Sequence, residues 1–400
     1  MVNIGVYREV KAWKKPLHVS RAQLAKAYLK LLPNLEIIGI TGSVGKTLTQ
    51  NAIYSVLSQK FKTVVGDENL DPTFRIPQTI LKAKPWDQKL ILEYGIEHPG
   101  DMDHYLSVVK PKIAVVTAIT PTHTKYLGSI EGVFKEKVKL VEALLKDNWA
   151  VLNTDDPYCR QMVSKTSARV LWYGQRAKDG VKISHFSQSL AGSRFRLHYH
   201  TQKGTVVWKI VGKHQLTSAY AAAAVGIICG LTLKQIAKGL SAVKAPEHRL
   251  NSIATKNINI LDDTYNSSPQ AAVEAIKTLV ALGRGKKKVA VLGEMKDLGD
   301  LSDEAHQKLG KVIAAYKINY LLTIGKVAAK IAKACKKADF SDGVVTVGNT
   351  AEALKTLKKL INPKTLVLVK GSRHAHLERV VLGLLNHPTQ VSCYHCGLVG

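Results

Sequence analysis

The sequence predicts an α/β protein made of two successive α/β units, the first carrying a small antiparallel insert. Three observations predict it. Short apolar runs alternate with helical segments from Leu35 onward. A glycine loop, Thr41-Gly-Ser-Val-Gly-Lys-Thr47, separates the first apolar run from an amphipathic segment. The alternation starts again near Pro246, after a stretch of different character.

In chain order, residues 1–35 read as a short basic extension, with a helix over 19–32 that Pro33 closes. Residues 36–245 form the first unit. Its strands are expected at 37–40, 89–93, 113–117 and 150–153, with a helix at 48–59 and the clearest helix at 131–145. Segments 169–173, 194–199 and 205–211 read as antiparallel strands of the insert. The alanine-rich stretch 219–231 reads as a tightly packed internal helix. Residues 246–385 form the second unit, with strands at 258–261, 288–292, 320–324, 344–347 and 365–369. Residues 386–400 form a tail, in which Cys393-Tyr-His-Cys396 has half of a zinc-site spacing and His387 lies nearby. Two more convergent ligands would be needed, so the expectation is two free thiols rather than zinc.

Composition narrows the class. A 400-residue chain suggests two or three domains at about 150 residues each. Hydrophobic residues at 46% and charged residues at 22% exclude extensive disorder. Only 5 cysteines, an odd number, exclude a disulfide-dense scaffold and point to a reducing cytoplasm. The formal net charge of +28 favours anionic partners or a lysine-rich solvated surface. Nucleic acid is the weaker choice. The longest basic run is Lys286-Lys287-Lys288, and aromatics, at 6%, form no stacking cluster. The start of the chain has no apolar signal core, and stretch 219–231 is shorter than the roughly 20 residues a membrane span needs.

The glycine loop carries the strongest chemical signal. Between a buried strand and a helix, glycines let backbone N–H groups turn inward around phosphate oxygens, and the helix adds its positive N-terminus. Lys46 would reach the terminal phosphates of a nucleotide and the Thr47 hydroxyl would meet Mg²⁺. Ile40 stands where such loops usually begin with glycine, and Gly42 sits inside the loop instead. The loop indicates a nucleotide but no reaction.

Further segments follow in order: Asp262-Asp-Thr-Tyr-Asn266 with Pro269, Leu292-Gly-Glu-Met-Lys-Asp-Leu-Gly299 with His306, and Lys370-Gly-Ser-Arg373 with Glu378. Together with the loop they resemble the Mur ligases over roughly residues 36–385, and within them the branch that adds D-alanyl-D-alanine to a UDP-linked muramoyl-tripeptide. The resemblance implies a central ATP-binding domain with a parallel sheet, followed by a Rossmann-like α/β domain. It also implies an ATP-dependent amide ligase that works through an acyl phosphate in peptidoglycan precursor synthesis.

The resemblance assigns roles residue by residue. Thr41, Gly42, Ser43, Val44, Gly45, Lys46 and Thr47 would hold ATP. Thr47, Glu93, His123 and a carbamylated Lys137 would hold Mg²⁺, with Lys46, His123, Lys137 and Arg249 catalytic. By composition Lys135, Lys137 and Lys139 are equivalent, and Lys139 stands where the family usually carries glutamate. Arg249 would reach the phosphates from the domain junction, and Asp263 and His214 would contact the nucleotide. Tyr265, Asn266, Lys370 and Arg373 would bind substrate. By pattern alone, Asp262-Asp263 also fits a strand-end cap and Lys370-Gly-Ser-Arg373 a surface turn.

Two departures bear on the substrate. Family members carry a larger N-terminal domain that grips UDP, whereas about 40 residues precede the loop here. A different grip on UDP, a helper domain or protein, or a substrate without UDP would each accommodate this. The segment from Asn69 to Pro77 lacks the family's consecutive asparagines. The competing expectations are an amide ligase of the same superfamily acting on a folate or poly-amino acid, and a basic P-loop protein that binds nucleic acid.

Overall fold

A computed structural model describes residues 11–66, 72–316 and 318–390. The chain divides into two compact units. Unit 1 comprises Met1–Ser187, Arg194–Lys209 and Gln215–Lys244, and unit 2 comprises Gln188–Ser193, Ile210–His214 and Ala245–Gly400.

Unit 1 is built on β1 (Glu36–Thr41), β2 (Thr63–Val65), β3 (Lys89–Glu93), β4 (Ile113–Val116), β5 (Trp149–Asn153) and β6 (Arg169–Tyr173). They form one six-stranded sheet in the order β2-β3-β1-β4-β5-β6. Every pairing in it is parallel. The central strands are continuous β-branched and leucine runs with both faces covered, as parallel sheets require. The parallel order brings Thr41 and Glu93 to the carboxyl edge, where ligands bind in such sheets.

The helix Lys46–Leu57 follows the glycine loop and packs on the alanine-rich helix Leu216–Ile228. Small residues permit the approach. A Cβ on Gly226 would lie 2.9 Å from Val56 Cγ1, and one on Gly239, in the helix Leu233–Ser241 that packs on the same helix, would lie 2.6 Å from Val56 Cα.

Several expectations change. Segment 169–173 is not part of the insert but the parallel edge strand β6, and its half-exposed pattern comes from having a neighbour on one side only. The insert sheet is instead β7 (Lys182–Ser189), β8 (Gly192–Tyr199) and β9 (Gln202–Trp208). The sequence hides β7 because Ile183 is its one buried residue among serines, His185 and Gln188. The helix expected over 131–145 breaks into Ile130–Lys137 and Lys139–Glu142. The helix expected from 48 begins at Lys46, and the one expected from 19 begins at Lys15, where Pro16 suits a first turn.

Unit 2 is built on β10 (Asn251–Ala254), β11 (Asn259–Asp263), β12 (Lys287–Leu292), β13 (Tyr320–Ile324), β14 (Val344–Val347) and β15 (Thr365–Lys370). The order is β10-β11-β15-β12-β13-β14, parallel except for β10. Apolar clusters cover both faces. The sequence reading missed β10, a short and half-exposed edge strand. Among the described residues no helix is long and apolar enough to cross a membrane. Cys393 and Cys396 lie outside the described residues.

Candidate active site

The glycine loop is clamped from one side by the segment after β4. Gly42 adopts φ +140°, and a Cβ there would lie 1.9 Å from Thr117 Oγ1. That hydroxyl donates to Val44 O at 2.6 Å. The Ser43 N–H donates to Ala118 O at 2.7 Å, and the Ser43 hydroxyl donates to Thr120 O at 2.9 Å. Thr41 directs its hydroxyl to Tyr94 O at 2.8 Å, so it shapes the loop from behind. Gly45, at φ +78°, turns the chain into the helix, and Lys46 and Thr47 therefore occupy its first turn rather than the loop. The Lys46 ammonium folds back to Gly42 O at 3.0 Å.

Glu93 closes β3 and is buried. Its Oε2 accepts from the Thr47 hydroxyl at 3.2 Å and lies 3.1 Å from Arg75 Nη2. Lys137 is 1% exposed. Burial holds its pKa well below the usual lysine range, and the charge of Lys46 pushes the same way, against Glu93, Glu136 and Asp101. Burial thus separates three lysines that composition leaves equal. Lys135 is exposed, and Lys139 pairs with Asp103 at 2.6 Å and Glu136 at 2.7 Å.

His123 sits in the left-handed region at φ 54°. Its Nδ1 is buried without a hydrogen-bond partner. Burial, then Lys46 and Lys137, push its pKa down to about 3, so the ring is neutral.

These groups fit a hard divalent cation. Thr47 and Glu93 offer oxygens, His123 an orphaned nitrogen, and Lys137 an amine whose burial disfavours the ammonium form, the direction a carbamate requires. Among the described residues no three His, Cys, Asp or Glu side chains converge on a metal site. A cation here would therefore rely on phosphate oxygens and water for its remaining ligands, the usual habit of Mg²⁺.

In unit 2 the two aspartates of the Asp262-Asp263 pair do different work. Asp262 accepts from the Thr264 hydroxyl at 2.7 Å and bonds His248 Nδ1 at 2.8 Å, which raises the histidine pKa. Asp263 pairs with Lys370 at 2.7 Å. Lys370 is 2% exposed and also donates to Asn266 O at 2.8 Å. Its ammonium thus ties Asp263 to Asn266 and keeps one N–H beyond these two contacts. Tyr265 carries two guanidinium groups against its ring, Arg249 at 3.8 Å and Arg373 at 4.7 Å. Arg249 lies between His248 and Leu250, both at φ 59°, a strained backbone for non-glycine residues. His214 lies 3.9 Å from Glu274 Oε2.

The glycines of the other two motifs have one explanation. A Cβ on Gly371 would lie 3.2 Å from Gly293 Cα and 2.7 Å from Leu377 Cδ1. The two loops are joined by Gly293 N–H to Lys370 O at 2.8 Å and Ser372 N–H to Glu294 O at 2.9 Å. His306 is structural. Its Nδ1–H donates to Ser302 O at 2.6 Å and its Nε2 accepts from Met295 N–H at 3.0 Å.

Within unit 1 the structure brings together Lys46, Thr47, Glu93, His123 and Lys137; within unit 2 it gathers Arg249, Tyr265 and Arg373, and separately Asp263, Asn266 and Lys370. Sequence reasoning missed Arg75, Thr117 and His248. The positive φ of His248 and Leu250 leaves no trace in composition, and Arg75 lies in an unremarkable helical stretch.

Comparison with known proteins agrees with this geometry. The Mur ligase middle domain matches residues 40–226, and the Mur ligase glutamate ligase domain matches residues 248–373. The UDP-N-acetylmuramoyl-tripeptide–D-alanyl-D-alanine ligase of Bacillus subtilis (strain 168) is 33% identical over 370 residues, covering 92% of this chain and 79% of the relative. A crystal structure of MurF from Acinetobacter baumannii superposes with a TM-score of 0.86 at 26% identity, over 92% of this chain and 80% of that one. MurF ligase from Thermotoga maritima in complex with ADP gives a TM-score of 0.82 at 25% identity, over 91% of this chain and 82% of that one.

Proposed function

The chain belongs to the Mur ligase family, and we propose that it joins D-alanyl-D-alanine to UDP-N-acetylmuramoyl-tripeptide with cleavage of ATP to ADP and phosphate, in peptidoglycan precursor synthesis. The observation that carries the chemistry is the unit 1 cluster: Lys46 and Thr47 open a helix beside the buried strand-end Glu93 and the buried, low-pKa Lys137. The likeness to the Bacillus subtilis ligase over 92% of the chain supports the substrate pair.

The tripeptide carboxylate attacks the γ-phosphorus of ATP, and ADP leaves. The dipeptide amine then attacks the acyl carbon of the acyl phosphate, loses its proton, and the carbon–oxygen bond to phosphate breaks. An anion attacking a polyanion needs positive charge at the point of contact. Lys46 and the loop amides supply it at the terminal phosphates. Mg²⁺, held by Thr47, Glu93, His123 and a carbamylated Lys137, would neutralise further phosphate charge when bound. Arg249, Asp263 and His214 serve the nucleotide, and Tyr265, Asn266 and Arg373 serve the substrate. The use of ATP and a nucleotide-linked substrate supports a cytoplasmic location for the reaction.

Mass spectrometry of a mixture of the chain, ATP, Mg²⁺, UDP-N-acetylmuramoyl-tripeptide and D-alanyl-D-alanine tests the proposal. The expected product is the UDP-linked pentapeptide. ATP cleavage stimulated only by a different carboxylate and amine would keep the reaction class and reject the substrate.

A further inference from the structure

We propose that Arg75 is a built-in counter-ion for the metal-binding carboxylate, a positioning residue that holds Glu93 in place and competes with the divalent cation for its oxygen. The proposal rests on the reading of Glu93 as a Mg²⁺ ligand. The Arg75 guanidinium reaches the same Oε2 that the Thr47 hydroxyl contacts, at 3.1 Å against 3.2 Å. Both side chains are largely excluded from water, at 7% exposure for Arg75 and 9% for Glu93.

The approach of Arg75 is built into the surrounding backbone. Arg75 lies on the helix Pro72–Lys82, where its carbonyl accepts from the Thr79 hydroxyl at 2.7 Å. Its aliphatic stem passes Gly66. A Cβ there would lie 3.0 Å from Arg75 Cγ, 3.1 Å from Arg75 Cδ and 2.6 Å from Thr79 Oγ1. Glycine at 66 therefore leaves the slot that the arginine fills.

A buried carboxylate needs a compensating charge. A guanidinium does not lose its proton, so Arg75 compensates Glu93 at every working pH. A cation arriving alone competes with the guanidinium for the charge of Glu93, and one that takes Oε2 does so at the expense of the Arg75 contact. A cation arriving with nucleotide brings phosphate oxygens that can accept from the guanidinium. Arg75 thereby disfavours the free cation and favours the cation–nucleotide complex.

Titration of Mn²⁺ into the full chain, with free Mn²⁺ read by electron paramagnetic resonance with and without ADP, tests this. Wild type binds Mn²⁺ alone weakly, and ADP tightens binding by about tenfold or more. Arg75→Gln tightens binding of Mn²⁺ alone by about tenfold, and the charge-keeping Arg75→Lys stays within about threefold of wild type. The gain disappears in Arg75→Gln/Glu93→Gln. A folded Arg75→Gln variant with wild-type Mn²⁺ affinity, or a gain that survives loss of Glu93, overturns the proposal. Should Arg75→Gln unfold, Mn²⁺ alone restores its cooperative melt by replacing the missing charge; a variant that Mn²⁺ does not restore also overturns it. Mn²⁺ binding is independent of the peptide substrates, so failure of the ligation reaction leaves this test standing.

Discussion

Glu93 and Asp263 are both strand-end carboxylates at the edge of a parallel sheet, and each is compensated by a buried cation. The cations arrive by different routes. Lys370 is the register partner of Asp263 on the adjacent strand β15, so the sheet itself fixes the pair. Arg75 reaches Glu93 from a helix, past a glycine, and shares the oxygen with Thr47. The same chemical pair is thus fixed by strand register in unit 2 and by a side chain passing a glycine in unit 1.

The largest expected effect breaks the site in unit 1 alone. Lys46→Ala lowers kcat of ligation by about 10³-fold, measured by phosphate release, with the urea unfolding midpoint near wild type. The next effect breaks the pair in unit 2. Lys370→Met leaves Asp263 without its cation and costs about 3 kcal/mol in urea unfolding, and adding Asp263→Leu recovers most of the loss. No recovery in the double variant would mean that Lys370 acts through packing rather than charge.

A smaller effect tests the loops beside that pair. Gly371→Ala forces a Cβ to 2.7 Å from Leu377 Cδ1 and costs about 2 kcal/mol in the same assay. The smallest concerns pH. Burial lowers the pKa of His306, so the unfolded chain takes up a proton near 6.5 that the folded chain refuses. Its contribution is complete above that pH and is lost as pH falls, at up to about 1.4 kcal/mol per unit. Unfolding of His306→Gln should show a shallower acid slope than wild type, and equal slopes would place the acid sensitivity elsewhere.

Legibility in the sequence followed the range of the forces involved. Strands β3, β13 and β14 begin and end where their apolar runs do. The phosphate loop was legible because glycine spacing and a Lys-Thr pair encode local backbone geometry. The edge strand β6 was misplaced, because a half-exposed parallel edge and a half-exposed antiparallel strand share one pattern. Lys137 was not separable from Lys135 and Lys139 by composition, because burial is a property of the packed helix. The engagement of Lys370 by Asp263 depends on strand register across more than a hundred residues of chain, and Arg75 depends on the absence of a side chain at Gly66. Neither leaves a local signature.

The central claim is that a substrate carboxylate is activated as an acyl phosphate beside Lys46 and Glu93. The most direct measurement places ¹⁸O in the terminal carboxylate of UDP-N-acetylmuramoyl-tripeptide and follows the released phosphate by mass spectrometry. The account predicts one labelled oxygen in phosphate for each amide bond formed, because the bridging oxygen leaves with phosphorus. Phosphate released without label during amide formation would contradict it.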